Sequence, residues 1–402
     1  MQLFSRWRED AVSAPDTVHV DVCDGILVLS IGIVAWFHIW QQSWLWPGLT
    51  LGGLRIDLDP VIRSGYMWVD LMILISGFCL WLPWARLKEE EPDPTAGLFY
   101  RKRLARILPS YVLAVAVCFA GALGAGIFYR TTAQAAKDLI THLTFTNVFF
   151  YDTYYGTPIN AGLWTLAVEM HFYLLFPLIA RAFRRLPAAT AAAMMALALT
   201  FRGWTAAHVA DVSIYFNQLI AYLDIFALGM LAAQLHVKLA VVRRTPAQRI
   251  LCSLLAVLAF VFLIKLGKEQ SKCPDVNAIR LGQMQRRLSM GICGAGLLFF
   301  GANAGLFLRR ILGNPVTRFL SSVSMQFYIW HQVLAVQIKW LRIVPSAYEE
   351  PNAAGDALWQ SRYTALCIVS ALAVSVFLTY CFERPLARRI LRGGPVKRSR
   401  AG

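Results

Sequence analysis

Residues Ile26–Trp46 read ILVLSIGIVAWFHIWQQSWLW, 21 positions without Asp, Glu, Lys or Arg but with one histidine, His38. At about 1.5 Å of rise per residue, such a helix covers the roughly 30 Å hydrocarbon core of a bilayer. A titratable ring is costly to bury in lipid, so His38 is expected to face the protein interior or a wet cavity. There it acts either as a catalytic base or as a packing residue with both ring nitrogens satisfied.

The rest of the chain follows the same pattern. Of its 402 residues 57% are hydrophobic and 15% charged, against about 25% charged in soluble domains. The fold class is therefore all-α, a polytopic membrane helix bundle of about ten transmembrane helices. The apolar segments fall near 26–46, 67–85, 107–128, 163–180, 187–206, 219–236, 250–266, 288–308, 319–341 and 363–382. They divide the chain into an N-terminal segment 1–25, a membrane domain 26–386 and a basic tail 387–402. The net charge of +16 sits in short connections, which marks topology rather than a nucleic-acid partner. Lys and Arg favour one set of connections by 25 to 14, so both termini are predicted to be cytoplasmic. The loop 265–287, with six basic residues, opposes that rule. Eight scattered cysteines without metal-type spacing predict neither a disulfide nor a metal site. The polar N-terminus has no apolar core like that of a signal peptide.

Several polar residues interrupt the segments. Arg103 and Arg106 lie three apart, on one helix face beside Arg101 and Lys102. Such guanidinium forks suit phosphate oxygens, and they also suit simple anchoring at lipid headgroups. In GLWTLAVEMHFYLLFP, Glu169 needs a partner and falls at about the same membrane depth as His38. It is expected to orient that histidine as a triad carboxylate does, or else to pair structurally. His171 points about 200° away around the helix and, with Tyr173, is a secondary substrate-path candidate. Tyr328 and His331 share a face, where they line a path or bond to each other. Asp70 is expected to fix a neighbouring helix, Ser76-Gly77 to allow close packing, and Glu383-Arg384-Pro385 to end the last helix as a latch. The loop 129–162, with HLTFTNVFFYDTYYGTPINAG, suits either sugar binding or an interfacial aromatic belt.

Taken in order, DGILVLSIGIVAWFH, WVDLMILISGF, FYRKRLARILPSYVLAV, LWTLAVEMHFYLLFPL, LDIFALGMLAA, SMQFYIWH and FERPL resemble the acyltransferase-3 family of integral-membrane O-acyltransferases. The resemblance implies a ten-helix bundle that receives acyl-CoA, acetyl-CoA in the first instance, from the cytoplasm as a co-substrate, with no tightly bound cofactor. It matches His38 to the family's catalytic histidine, Arg103 and Arg106 to its donor-holding R-x-x-R motif, and Glu169 to its acidic residue. Leu27 departs from the pattern, since the family usually carries Arg or Lys eleven positions before the histidine. The expected reaction is acyl transfer to a hydroxyl of a surface glycan or related carbohydrate, at the cell membrane. A transporter of glycan precursors or short-chain acids, whose buried His, Glu and Asp relay protons, is the alternative, and a catalytically inactive relative is a third.

Overall fold

The computed structural model describes residues 19–88, 90–240 and 244–392. Arg6, Arg8 and the rest of 1–18, together with tail residues 393–402, lie outside the described residues. Ten long helices carry the fold, one on each apolar segment. They are α1 (Asp21–Ser43), α2 (Val69–Ala85), α3 (Ala96–Ala125), α4 (Trp164–Arg185) and α5 (Pro187–His208), then α6 (Leu223–Ala240), α7 (Pro246–Gln270), α8 (Val276–Ala302), α9 (Pro315–Trp340) and α10 (Ala357–Leu378). Seven of the described helices are by themselves long and apolar enough to cross a membrane. An eighth span results if α8 and the stretch Leu306–Trp340, bent by 118° to each other, are taken as one. The chain is thus a multi-pass helical membrane protein. Charge explains why fewer than ten pass that criterion: α5 carries Arg202, and α8 opens with Arg280, Arg286 and Arg287.

Local chemistry sets the ends. Asp21 and Asp24 occupy the first turn of α1, complementing its positive dipole end. Asn314 caps α9 by accepting from the Val316 and Thr317 amides, with Pro315 at the first helical position, where no N–H is needed. Between α1 and α2 the strands β1 (Gly48–Leu51) and β2 (Leu54–Asp57) form an antiparallel hairpin closed at Gly52-Gly53. Both glycines have positive φ, +54° and +86°, which is what a two-residue hairpin turn requires. Pro385 does not end the last helix. A π-turn at Thr379–Glu383 leads into a further helix, Arg384–Arg392, in whose first turn the proline costs no hydrogen bond.

Close helix contact depends on glycine where α2 meets α6. A Cβ on Gly77 would stand 2.6 Å from the Phe226 carbonyl oxygen, and one on Gly229 would stand 2.1 Å from that of Leu74. Small residues let the two backbones touch, as membrane helices lacking a hydrophobic driving force require. Gly229→Ala is therefore expected to push α2 and α6 apart, costing about 1–3 kcal/mol. A lowered thermal midpoint in detergent measures it, and an unchanged midpoint contradicts the packing. By contrast α7 is peripheral: Ile250, Leu254, Leu258 and Phe262, at four-residue steps, are all exposed, forming an apolar stripe fit for lipid.

Asp70 does fix its neighbours. Its carboxylate lies 3.5 Å from Arg287 Nε, both side chains fully buried. Arg287 also donates to the Phe216 carbonyl and the Tyr222 hydroxyl, and its guanidinium lies 3.7 Å over the Tyr222 ring. Nearby, Arg202 grips Asp224 through two hydrogen bonds of 2.8 and 2.6 Å. Arg287 and Arg202 are therefore packing charges, not interfacial ones. That resolves part of the basic excess at 265–287, where Arg280 and Lys272 are further engaged by Asp211 and Glu269.

The loop 129–162 folds into a cap built on a helix at Thr132–Leu143. Tyr155 donates to the Ser213 carbonyl and Tyr154 accepts from Asn217, while Tyr129 and Thr157 both donate to Asp138. Much of its polar surface is thus spent internally.

Candidate active site

Helices α1 and α9 run side by side in the same direction, held at their starts by Arg318 and Asp21, 2.5 Å apart. Near those starts a cavity of about 150 Å3 lies among α1, α2, α3, α4 and α9. Leu27 and Ile31, Ser76 and Cys79, Arg103 and Arg106, Glu169 and Tyr173, and Tyr328 face it. The R-x-x-R spacing thus brings both guanidiniums to one wall. Arg103 lies 5.6 Å over the Tyr173 ring and 5.7 Å over Phe99. Tyr173 donates to Glu169 Oε2 at 3.0 Å and lies 3.5 Å from the Ser76 hydroxyl. Glu169 is thereby tied to the aromatic ring that carries the arginine. Arg101 does not line this cavity, and its buried Nε has no hydrogen-bond partner among the described residues.

Three residues beyond Tyr328 on α9, His331 is buried, with its ring 5.8 Å from that of Tyr328. His38 of α1 lies against it, ring centroids 5.3 Å apart. Their partners fix the tautomers. His331 Nδ1 is 3.0 Å from the Phe327 carbonyl, which can only accept, so Nδ1 carries the proton and Nε2 a lone pair. Among the described residues no group bonds that Nε2. His38 Nδ1 likewise faces the Gln41 amide oxygen at 3.1 Å, which leaves its Nε2 basic. Two imidazoles thus present free lone pairs in a mostly apolar setting, the state a general base needs.

The expected contact between Glu169 and His38 is absent among the described residues. The cause is separation along the helix axis: Ile31, which shares the cavity with Glu169, and His38 are seven residues apart, nearly two turns and about 10 Å along one face of α1. Equal depth, inferred from the segment ends, ignored that distance. His171 turns away and stacks on Phe149 at 5.3 Å. Beyond the histidines, past Gln42 of α1 and Lys339 of α9, a second cavity of about 660 Å3 opens. Its walls come mainly from the end of α9 and the loop 341–356, a stretch without a recognisable motif. Arg202 and Asp224 were also missed, although charges inside apolar segments are a signal that could have found them, and Arg287 was read only as one of the basic residues of the loop 265–287.

One group of metal-type ligands, His19, Asp21 and Asp24, has its ligand atoms within 4.8 Å of one another among the described residues. Arg318 already occupies Asp21, and His19 Nε2 meets Asp24 at 2.5 Å. The hydrogen bond to Asp24 raises the His19 pKa, as an ion-pair partner does.

The family model of the acyltransferase domain (acyltransferase-3) matches residues 23–381. The chain belongs to this family. It is also 28% identical over 217 residues to nodulation protein 10 of Rhizobium leguminosarum bv. viciae, covering 50% of this chain and 55% of that protein. The chain thus spans about half the length of the curated relative it matches. No solved structure matches it. The match encloses every cavity residue named above, from Leu27 to Lys339.

Proposed function

We propose that this acyltransferase-3 protein is an O-acyltransferase of the cell membrane. It moves a short acyl group, acetyl in the simplest case, from cytoplasmic acyl-CoA to a hydroxyl of a surface glycan or related carbohydrate. One observation carries this reading: along α1 and α9 a small basic cavity, two imidazoles with free Nε2 atoms, and a larger polar cavity follow one another in line. A donor and an acceptor entering from opposite ends would meet at the histidines.

In this reading Arg103 and Arg106 hold donor phosphates, with Arg101 on the same helix adding charge at the entrance. Glu169 keeps Tyr173 and Arg103 in position, and Leu27 leaves the two arginines as the cations of this wall. Tyr328 guides the thioester toward His331. His38 Nε2 takes the proton of the acceptor hydroxyl as its oxygen attacks the thioester carbonyl. The carbon–sulfur bond breaks, and the imidazolium returns the proton to the departing thiolate, giving an ester and a free thiol. With Arg202 and Arg287 removed as buried pairs, the basic residues favour the termini's side by 25 to 12, which supports cytoplasmic termini. The membrane domain 26–386 would carry the whole reaction between its short terminal segments, with His171 outside the path and Asp70 a structural support.

Arg103→Ala tests the donor assignment. Losing a charged hydrogen bond is worth about 1.5–3 kcal/mol, so KM for acetyl-CoA should rise about tenfold or more. KM for acetyl-pantetheine, which lacks the nucleotide phosphates, should not move. An equal change for both donors would remove phosphate binding from Arg103.

A further inference from the structure

We propose that the 660 Å3 cavity at the far ends of α1 and α9 is a binding site for a neutral oligosaccharide, the acceptor subsite of this enzyme. The inference deepens the reading above and rests on it for the word acceptor, but the site itself is argued from its own walls. Its volume falls within the range of about 300–1,000 Å3 typical of small-ligand pockets, enough for several sugar units. Trp340 and Tyr348 line it and are 62% and 57% exposed. Rigid aromatic faces on an open wall suit the apolar C–H face of a sugar ring. Around them stand Gln42, Arg342, Glu349 and Glu350, a mixture of donors and acceptors that matches hydroxyl groups.

Charge selects among carbohydrates. Lys339 and Arg342 oppose Glu349 and Glu350, two of each sign, and Lys339 already lies 3.9 Å from Glu350. A balanced wall gives a polyanion no net attraction. The walls are also built before any ligand arrives. Asp356 accepts from the Trp359 amide and from Ser346, which holds its carboxyl below the ordinary range. The Trp359 indole donates to the Val344 carbonyl at 3.1 Å. Arg342 itself adopts the left-handed region at φ +51°, a conformation that costs a side-chain-bearing residue energy and persists where the surroundings impose it. Position completes the case: Gln42 lies one turn, about 6 Å, past His38 on the same helix face. A sugar seated on this wall can extend a hydroxyl to the imidazole.

The test uses the full-length protein in nanodiscs, with neutral glucan and amino-sugar oligosaccharides of two to six units and sulfated oligosaccharides as the contrast. Neutral members should change tryptophan fluorescence with saturable binding. Trp340→Ala should weaken that binding about tenfold or more, an aromatic anchor's usual worth. Trp340→Phe should restore most of it, with unchanged thermal midpoints guarding against misfolding. Failure of every neutral member to bind, tighter binding of the sulfated ones, or indifference to both Trp340→Ala and Tyr348→Ala would each overturn the site. Loss of acyl transfer as an activity while this binding persists would remove only the acceptor role. Acyl transfer whose acceptor KM ignores Trp340→Ala would remove the subsite while leaving the transferase.

Discussion

Replacing His38 by alanine is expected to remove acyl transfer while leaving a folded protein. The ring's hydrogen bond is a single one, to Gln41 on its own helix, and its removal exposes no charge. What is lost is the proposed base for the hydroxyl proton, an effect of about 10²–10⁴-fold on turnover. His331→Ala should produce a smaller loss, since that ring lies on the side proposed for the donor and touches the proposed base, His38, rather than replacing it. Acyl transfer from acetyl-CoA to a carbohydrate acceptor, followed by mass spectrometry of the product, measures both. Wild-type turnover in His38→Ala with normal expression would end the assignment of this ring as base.

A second large effect concerns stability. Arg287→Leu should leave Asp70 as a buried carboxylate with no compensating charge at contact distance. Neither Asp70 oxygen has a hydrogen-bond donor among the described residues, so the ion pair is what stabilises it. Breaking one partner of such a pair costs about 3–5 kcal/mol, and the Phe216 carbonyl and Tyr222 hydroxyl lose a partner as well. The variant should express poorly or unfold at a clearly lower temperature in detergent. Asp70→Asn combined with Arg287→Leu should recover part of the loss, because the charge that remains in the single variant is then gone. Equal stability of wild type and Arg287→Leu would show that the pair contributes nothing net.

How much of this was legible in the sequence depended on which physical signal was strong. Hydrophobic length placed all ten long helices, because a bilayer demands uninterrupted apolar runs. Arg103 and Arg106 reached one wall because i,i+3 spacing on a helix admits little else. The Ser76-Gly77 pair foretold close contact, but the second glycine of that contact, Gly229 in LDIFALGMLAA, carried no packing signal of its own and could be found only once α2 and α6 were side by side. The union of Glu169 with His38 failed since depth from a segment end does not fix where along a neighbouring helix a side chain meets another. Tyr173, named only as a path residue, became Glu169's actual partner. The cavity beyond Gln42 was invisible because a loop's shape comes from tertiary bonds such as Ser346 to Asp356, not from any repeating pattern.

The two cavities share no lining residue, and along α1 and α9 the paired rings of His38 and His331 fall between them. In the proposed reaction a chemical group is handed across at those rings, and separate chambers for donor and acceptor would deny water and ions a continuous route. In a membrane that stores an electrochemical gradient, such a catalyst works without short-circuiting the cell that makes it.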